Sequence, residues 1–347
     1  MVEHLPDTEG VTGSNPVSRT ICSAPATRAF APNFAYHADR GFPCGLHAPA
    51  VLFGIEHPSM SVTRSAVDAN DPPTSEELVA LLRLLDDDTP EVRERVAQRL
   101  VLCGGDLSDW LAAVPHQLSG KEKFVLSEML GAARRDTLER EWSVPSGGAA
   151  ALTEDWEALE SMLRLISDFL HDGITMRQSL SDALDLLAEE AWEHPVVSPC
   201  ELGNFLFGNQ RFVADDDGEA DPKNLDLAWV LAEGHSHSLG LCMIFLLVGH
   251  RMEFDVEIVD YPGRFLCRIH EEGHSLIVDC VDGGQIHLQS ALLVDAEITR
   301  EGRERLRGSV APGSLLCHWL DELGEALCRS GRDEDSALIQ RLRDTLD

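Results

Sequence analysis

The sequence is short of positive charge. It carries 28 Lys and Arg against 60 Asp and Glu, a formal net charge of -32. No long basic block offsets the acids. Phosphate backbones and anionic bilayers are therefore repelled, and neither nucleic acid nor a membrane is expected as a partner. The acidity itself reads as a solubility device. Long apolar runs are missing too. The strongest, residues 239–249, is too short to cross a bilayer and reads as a buried core helix. No charged segment followed by an apolar one opens the sequence, so no secretion leader is expected. The nine cysteines include no C-x-x-C pair. That absence excludes the commonest zinc and dithiol spacings and points to reduced thiols in the cytoplasm. No Walker or dinucleotide-binding glycine loop is present, and Gly283-Gly284 reads as a turn, so no cofactor is expected.

What remains is globular in composition. With 347 residues, 44% of them apolar, the chain has room for two domains and a sizeable core. Residues 1–73 differ from the rest. They are rich in Gly, Pro, Ser and Thr without a persistent period, and disorder is expected there. Gly13-Ser14-Asn15-Pro16 is also what a transfer-RNA T-arm sequence would encode. The expected translation start is therefore Met60, and peptides from before Met60 in cell extracts would refute that.

From Thr74 the pattern is helical. Thr74 and Glu77 suggest a capping box, with Leu78, Leu81, Leu82 and Leu85 as one apolar stripe. Thr89 as N-cap and Pro90 at the first helical position start a second helix that Gly104 stops. The pair resembles one HEAT-type hairpin. Further helices are expected over residues 119–142, 153–170, 179–191 and 199–207. Residues 144–152, Val-Pro-Ser-Gly-Gly-Ala-Ala-Ala-Leu, read as a hinge. Asp215-Asp216-Asp217-Gly218 lacks calcium-loop spacing and reads as a solvated loop. Residues 225–231 and 238–250 read as helices. Residues 254–260, 264–270 and 275–280 read as strands, rich in Val, Ile and Phe and joined by Tyr-Pro-Gly and Glu-Glu-Gly. Loops that short imply an antiparallel meander on the buried helix, hence an α+β fold. Beyond Gly284 the pattern becomes helical again. Leu316, Leu320, Leu323 and Leu327 form a stripe that Gly331 breaks before a last helix with Ala337, Leu338 and Leu342. This tail resembles a single tetratricopeptide hairpin.

Four motifs follow in order. They are Asp-Pro-Lys-Asn at 221–224, Gly-His-Ser-His-Ser-Leu at 234–239, Tyr-Pro-Gly-Arg-Phe at 261–265, and Val-Asp-Cys-Val-Asp-Gly-Gly at 278–284. In order and spacing they resemble the bacterial transglutaminase-like proteins of the SirB-one family, closely over residues 199–293 and more loosely on either side. The resemblance implies a papain-like α+β core with a small antiparallel sheet, flanked by helical regions. It implies four segments: 1–73 as an extension, 74–198 helical with a HEAT-like start, 199–295 the core, and 296–347 a tetratricopeptide-like hairpin. In the wider superfamily a cysteine at the helix start attacks an acyl group. A histidine on the next strand takes its proton, and an aspartate on the strand after orients the histidine. Those positions correspond here to Ser238, Arg264 and Asp279.

Arginine at the second position changes the chemistry. A guanidinium has a pKa above about 12 and cannot serve as a base at neutral pH, and an unassisted serine hydroxyl is a poor nucleophile. Arg264 opposite Asp279 implies an ion pair; if it is partly buried, deleting one member is expected to cost about 3–5 kcal/mol. An anion pocket beside a helix N-terminus is the other use of that arginine. The leading expectation is a non-catalytic binding or scaffolding module whose partner is a protein or a small anionic ligand. The alternative is a thiol-dependent acyl-transfer or peptidase-like enzyme that uses Cys242 or Cys280 with His235 or His237. Cys267 lies on the middle strand between them. Against that alternative, Cys242 sits among Leu241, Met243 and Ile244, where cysteine usually serves as apolar filler. His235-x-His237 lacks a third ligand, and no metal site is expected from it.

Overall fold

The computed structural model describes residues 72–113, 118–215 and 221–347. The expected extension over 1–73, including Met60, lies outside the described residues apart from its last two positions, as do Asp216, Asp217 and Gly218 of the acidic loop. The first elements are α1 (Ser75–Leu82), α2 (Pro90–Val101), α3 (Ser108–Ala113) and α4 (Gly120–Glu141). Thr74 caps α1 by accepting from Glu77 N–H at 3.3 Å. The box expected with Glu77 is not closed, because Arg99 of α2 takes both Glu77 carboxylate oxygens, at 2.8 and 2.9 Å. A full capping box occurs instead at Ser119 and Glu122. Leu78, Leu82, Leu85, Val96, Leu100, Leu126 and Leu130 are buried together, so these helices have their own small core.

The chain continues through a 3-10 turn (Gly148–Ala151), α5 (Trp156–Leu170), α6 (Leu180–Glu193) and α7 (Pro199–Gly203), the last running into a wide π turn (Asn204–Gly208). The helix expected from residue 153 starts later because Asp155 is its cap, accepting from Ala158 N–H at 2.9 Å. Next come β1 (Val213–Ala214), a 3-10 turn (Pro222–Leu225), α8 (Leu227–Glu233), β2 (His235–Ser236) and α9 (Ser238–Arg251). Gly234, at φ +82°, closes α8 in the left-handed conformation that glycine accepts without strain. The strands β1 and β2 form a short parallel pair. Every residue of α9 from Leu239 to Gly249 is buried, which is why the sequence there is apolar all round rather than striped.

Four strands then run antiparallel in the order β3 (Val256–Tyr261), β4 (Arg264–Glu271), β5 (His274–Asp279) and β6 (Gln285–Leu288). Tyr261 pairs with Arg264 and Glu271 with His274, so both hairpins turn on two residues. Pro262-Gly263 and Glu272-Gly273 supply the turn backbone, with φ +86° at Gly263 and +51° and +79° at Glu272 and Gly273. Side chains alternate across the sheet as a pleat requires. Val256, Ile258, Phe265, Cys267, Ile269 and Val278 face the α9 side. Val259, Leu266 and Ile277 face Leu306 and the segment holding α10 (Gln289–Val294) and α11 (Arg300–Arg305). The strand β6 corrects the expectation of helix beyond Gly284. Its pairing with β5, not its own propensity, makes it a strand.

The chain ends in a helical hairpin, α12 (Pro312–Arg329) and α13 (Asp333–Asp344). One buried cluster extends from Leu138 through Leu346 and includes α5, α6, α9, the inner face of the sheet, and Trp319, Leu320 and Leu323 of α12. The segments expected at 74–198, 199–295 and 296–347 all contribute to it. The segment read as a hinge is a packing junction. Ala149 N–H donates to Leu346 O at 2.8 Å and Gly313 N–H to Leu152 O at 3.1 Å. A side chain on Gly148 or Gly313 would meet the backbone of Leu346 or Ala149. Its small residues allow close approach and do not mark freedom of movement. Among the described residues, no helix is long and apolar enough to cross a membrane.

Candidate functional site

The start of α9 is fixed by the first two motifs. Asp221 accepts from Lys223 N–H at 3.0 Å and opens the 3-10 turn. The Asn224 carbonyl at its end accepts the Ser236 hydroxyl at 2.9 Å. Gly240 packs so closely on Ser236 that any side chain there would collide with the hydroxyl. His237 is the N-cap of α9, its Nδ1 accepting from Gly240 N–H at 3.0 Å. These contacts set Ser238 on the first turn of the helix, facing the start of β4.

Ser238, Arg264 and Asp279 are brought together. Phe265 N–H donates to Ser238 Oγ at 3.3 Å, which ties the serine to the residue beside Arg264. Arg264 Nη1 lies 2.7 Å from Asp279 Oδ2. The aspartate side chain is 7% exposed and the arginine 44%. Asp279 Oδ1 also accepts from Asp282 N–H at 3.3 Å. The Asp279 carboxylate is thus paired with a guanidinium, which has donors and no acceptor. Asp279, placed by its motif at the end of β5, is followed by the turn in which Gly284 adopts φ +74°, where a side-chain carbon would come within 3.0 Å of Gly203 O.

Among the described residues no hydrogen bond joins His235 and His237 to each other or to a thiol. His235 is exposed, with Nδ1 3.6 Å from Asp215 Oδ1. His237 Nε2 lies 3.2 Å from Glu322 Oε2 of α12, but off axis, so that this buried nitrogen lacks an aligned hydrogen bond. Burial lowers the His237 pKa to about 4. Burial, with the charge of Glu325 adding to it, raises Glu322 to about 7. Since Nδ1 accepts a bond, neutral His237 carries its proton on Nε2, facing the Glu322 carboxyl. Trp319 packs edge-on against the His237 ring, centroids 5.7 Å apart. His318 meets Phe265 in the same way at 5.6 Å. The contribution of α12 to this region was not expected. The sequence shows its leucine stripe, and nothing local says which face of the core the stripe covers.

The thiols of the alternative reading are placed differently from what an acyl-transfer site needs. Cys242, Cys267 and Cys280 are free, fully buried and turned toward one another. Cys242 Sγ and Cys280 Sγ are 3.8 Å apart, as are Cys280 Sγ and Cys267 Sγ. Burial raises the pKa of Cys267 and Cys280 well above the ordinary thiol value, while at Cys242 burial is outweighed by hydrogen bonds from the other two thiols, which lower it to about 6. Among the described residues no hydrogen bond joins any of the three to a histidine, and a buried thiol without a base or a path to substrate is inert toward acyl groups. No local spacing announces the trio, because its members are 25 and 13 residues apart.

A long buried helix whose N-terminus faces an antiparallel sheet, with the serine, arginine and aspartate positions on helix start, first hairpin and next strand end, defines a transglutaminase-like α+β domain. The comparison with known families agrees: a model described as "Transglutaminase-like superfamily" matches residues 178–302. Two curated relatives are UPF0162 proteins of Xylella fastidiosa. The one from strain Temecula1 is 27% identical over 138 residues, covering 40% of this chain and 46% of the relative. The one from strain 9a5c is 27% identical over 148 residues, covering 42% and 50%. The chain thus spans about half the length of the curated relatives it matches. No solved structure matches it.

Proposed function

We propose that this chain is a non-catalytic protein of the SirB-one branch, with its transglutaminase-like core kept as a binding or scaffolding module for a protein or a small anionic ligand. The ion pair between Arg264 and Asp279, at 2.7 Å, carries this reading. Acyl transfer by Ser238 requires a base that removes the hydroxyl proton. The position that would hold it holds a guanidinium, and the orienting carboxylate is neutralised by that same group. The four ordered motifs from Asp221 to Gly284 support the branch. The core shared between the domain and its flanking helices supports a rigid module. The test is hydrolysis of p-nitrophenyl acetate and amine transfer onto a glutaminyl peptide by the purified full chain and by Ser238→Ala. Rates at buffer background in both are expected. Turnover by the wild type that disappears in Ser238→Ala would overturn the proposal.

A further inference from the structure

We propose that Cys242, Cys267 and Cys280 form a site for one soft monovalent metal ion, copper(I), held by three sulfur atoms. The site is independent of the degenerate triad and survives whichever way the acyl-transfer test falls. It is built from three separate pieces of the domain. Cys242 comes from α9, Cys267 from the inner face of β4, and Cys280 from the turn that follows β5. All three Sγ atoms lie within 4.8 Å of one another, and two of the separations are 3.8 Å. A disulfide needs about 2.05 Å between sulfurs, so these are not disulfide distances. The two at 3.8 Å match the spacing of sulfurs around one metal ion, which is also within the range of plain thiol packing. A metal bound at about 2.3 Å by three sulfurs in a plane holds those sulfurs about 4.0 Å apart. Packing alone has therefore set the sulfurs near the edges of a trigonal site.

The identity of the ion follows from what surrounds the trio. Among the described residues no fourth His, Cys, Asp or Glu donor joins this group. The three residues are fully buried, so the surroundings offer no route for a coordinating water. Structural zinc takes four protein ligands, and iron–sulfur clusters likewise need four. Copper(I) is soft, prefers thiolates and accepts low coordination numbers. Binding is not a redox event. Each thiol that becomes a thiolate releases its proton to solvent, its sulfur lone pair forms the Cu–S bond, and neither copper nor sulfur changes oxidation state. A bound ion would join α9 to β4 and to the end of β5.

Because the trio is buried, loading is tested by two routes. The full chain is expressed in copper-supplemented medium, and separately it is refolded anaerobically with copper(I) in competition with bicinchoninate. A control variant replaces Cys22, Cys44, Cys103, Cys200, Cys317 and Cys328 by serine. About one copper per chain is expected in wild type and control, falling at least roughly tenfold in Cys242→Ala, Cys267→Ala and Cys280→Ala. X-ray absorption on the control variant is expected to give three sulfur scatterers at about 2.3 Å and no nitrogen or oxygen. That measurement decides the matter even where an alanine variant fails to fold. Copper below about a tenth of an equivalent by both routes would overturn the proposal. So would copper that is lost in the control variant, or copper displaced by an equal concentration of zinc.

Discussion

Replacing Arg264 is expected to harm the fold more than replacing its partner. Asp279 is nearly buried and has two partners, Arg264 at 2.7 Å and Asp282 N–H at 3.3 Å. Arg264→Ala leaves a buried carboxylate on one long backbone bond. Breaking a fully buried pair in this way costs about 3–5 kcal/mol, and breaking an exposed one about 0.2–1 kcal/mol. With 44% of the Arg264 side chain exposed, solvent screens the pair. The expected loss is about 2 kcal/mol, below the buried-pair range. Asp279→Asn keeps the shape and can keep the bond from Asp282, while the guanidinium turns to water; the expected cost is under about 1 kcal/mol. The double variant has no orphaned charge and should be close to Asp279→Asn alone, a coupling of about 2 kcal/mol. Urea unfolding followed by circular dichroism measures all four proteins, and the Arg264→Ala melting temperature should fall by roughly 4–8 °C. An Arg264→Ala variant within about 0.5 kcal/mol of wild type, or an Asp279→Asn variant that is the less stable of the two, would refute the reasoning.

Two further outcomes follow from the packing around α12. Glu322 has its pKa raised from 4.5 to about 7 in the fold. Its contribution to stability is therefore fully present below pH 4.5 and is lost as pH climbs through about 7. His237, lowered from 6.5 to about 4, has the opposite dependence, losing its contribution as pH falls toward 4. Replacing the glutamate isolates the first effect. The difference in urea midpoint between wild type and Glu322→Gln should move in favour of the wild type from pH 8 to pH 5, and parallel pH profiles would contradict the assignment. Gly313→Ala is expected to cost at least about 2 kcal/mol, because its new carbon would be driven into the Ala149 carbonyl, with Ala149 C at 2.7 Å and Cα at 2.8 Å. Gly308→Ala meets only Arg305 O at 3.8 Å and should be neutral within about 0.5 kcal/mol. Equal thermal shifts for the two would show that the junction between the 3-10 turn and α12 is loose.

The elements readable in advance are those whose cause is local. Continuous apolarity announces α9, and Pro-Gly and Glu-Gly announce the two tight hairpins, because a turn that needs positive φ restricts its residues. The strand β6 was missed because Gln285-Ile286-His287-Leu288 is mostly exposed and becomes a strand only when β5 offers its edge. The small residues of 144–152 were misread because glycine signals either freedom or close contact, and only the position of Leu346 decides between them. At the site, the meeting of Ser238, Arg264 and Asp279 was readable because ordered motifs carry a topology. The three thiols and the His237–Glu322 contact were not, since each joins elements whose faces are set by long-range packing. The sequence could list the three cysteines but could not bring them together.

The hydrophobic cluster that joins Leu138 to Leu346 fixes the smallest piece able to live alone. The matched stretch, 178–302, begins after Ile166 and Phe169 and ends before Trp319, Leu320 and Leu323, all of which line that cluster. Excised at those borders, it would bare greasy surface on two sides and clump. The matched stretch and the packed core therefore end at different residues in this molecule, and any transplant of the domain into another protein must carry the terminal hairpin along as its lining.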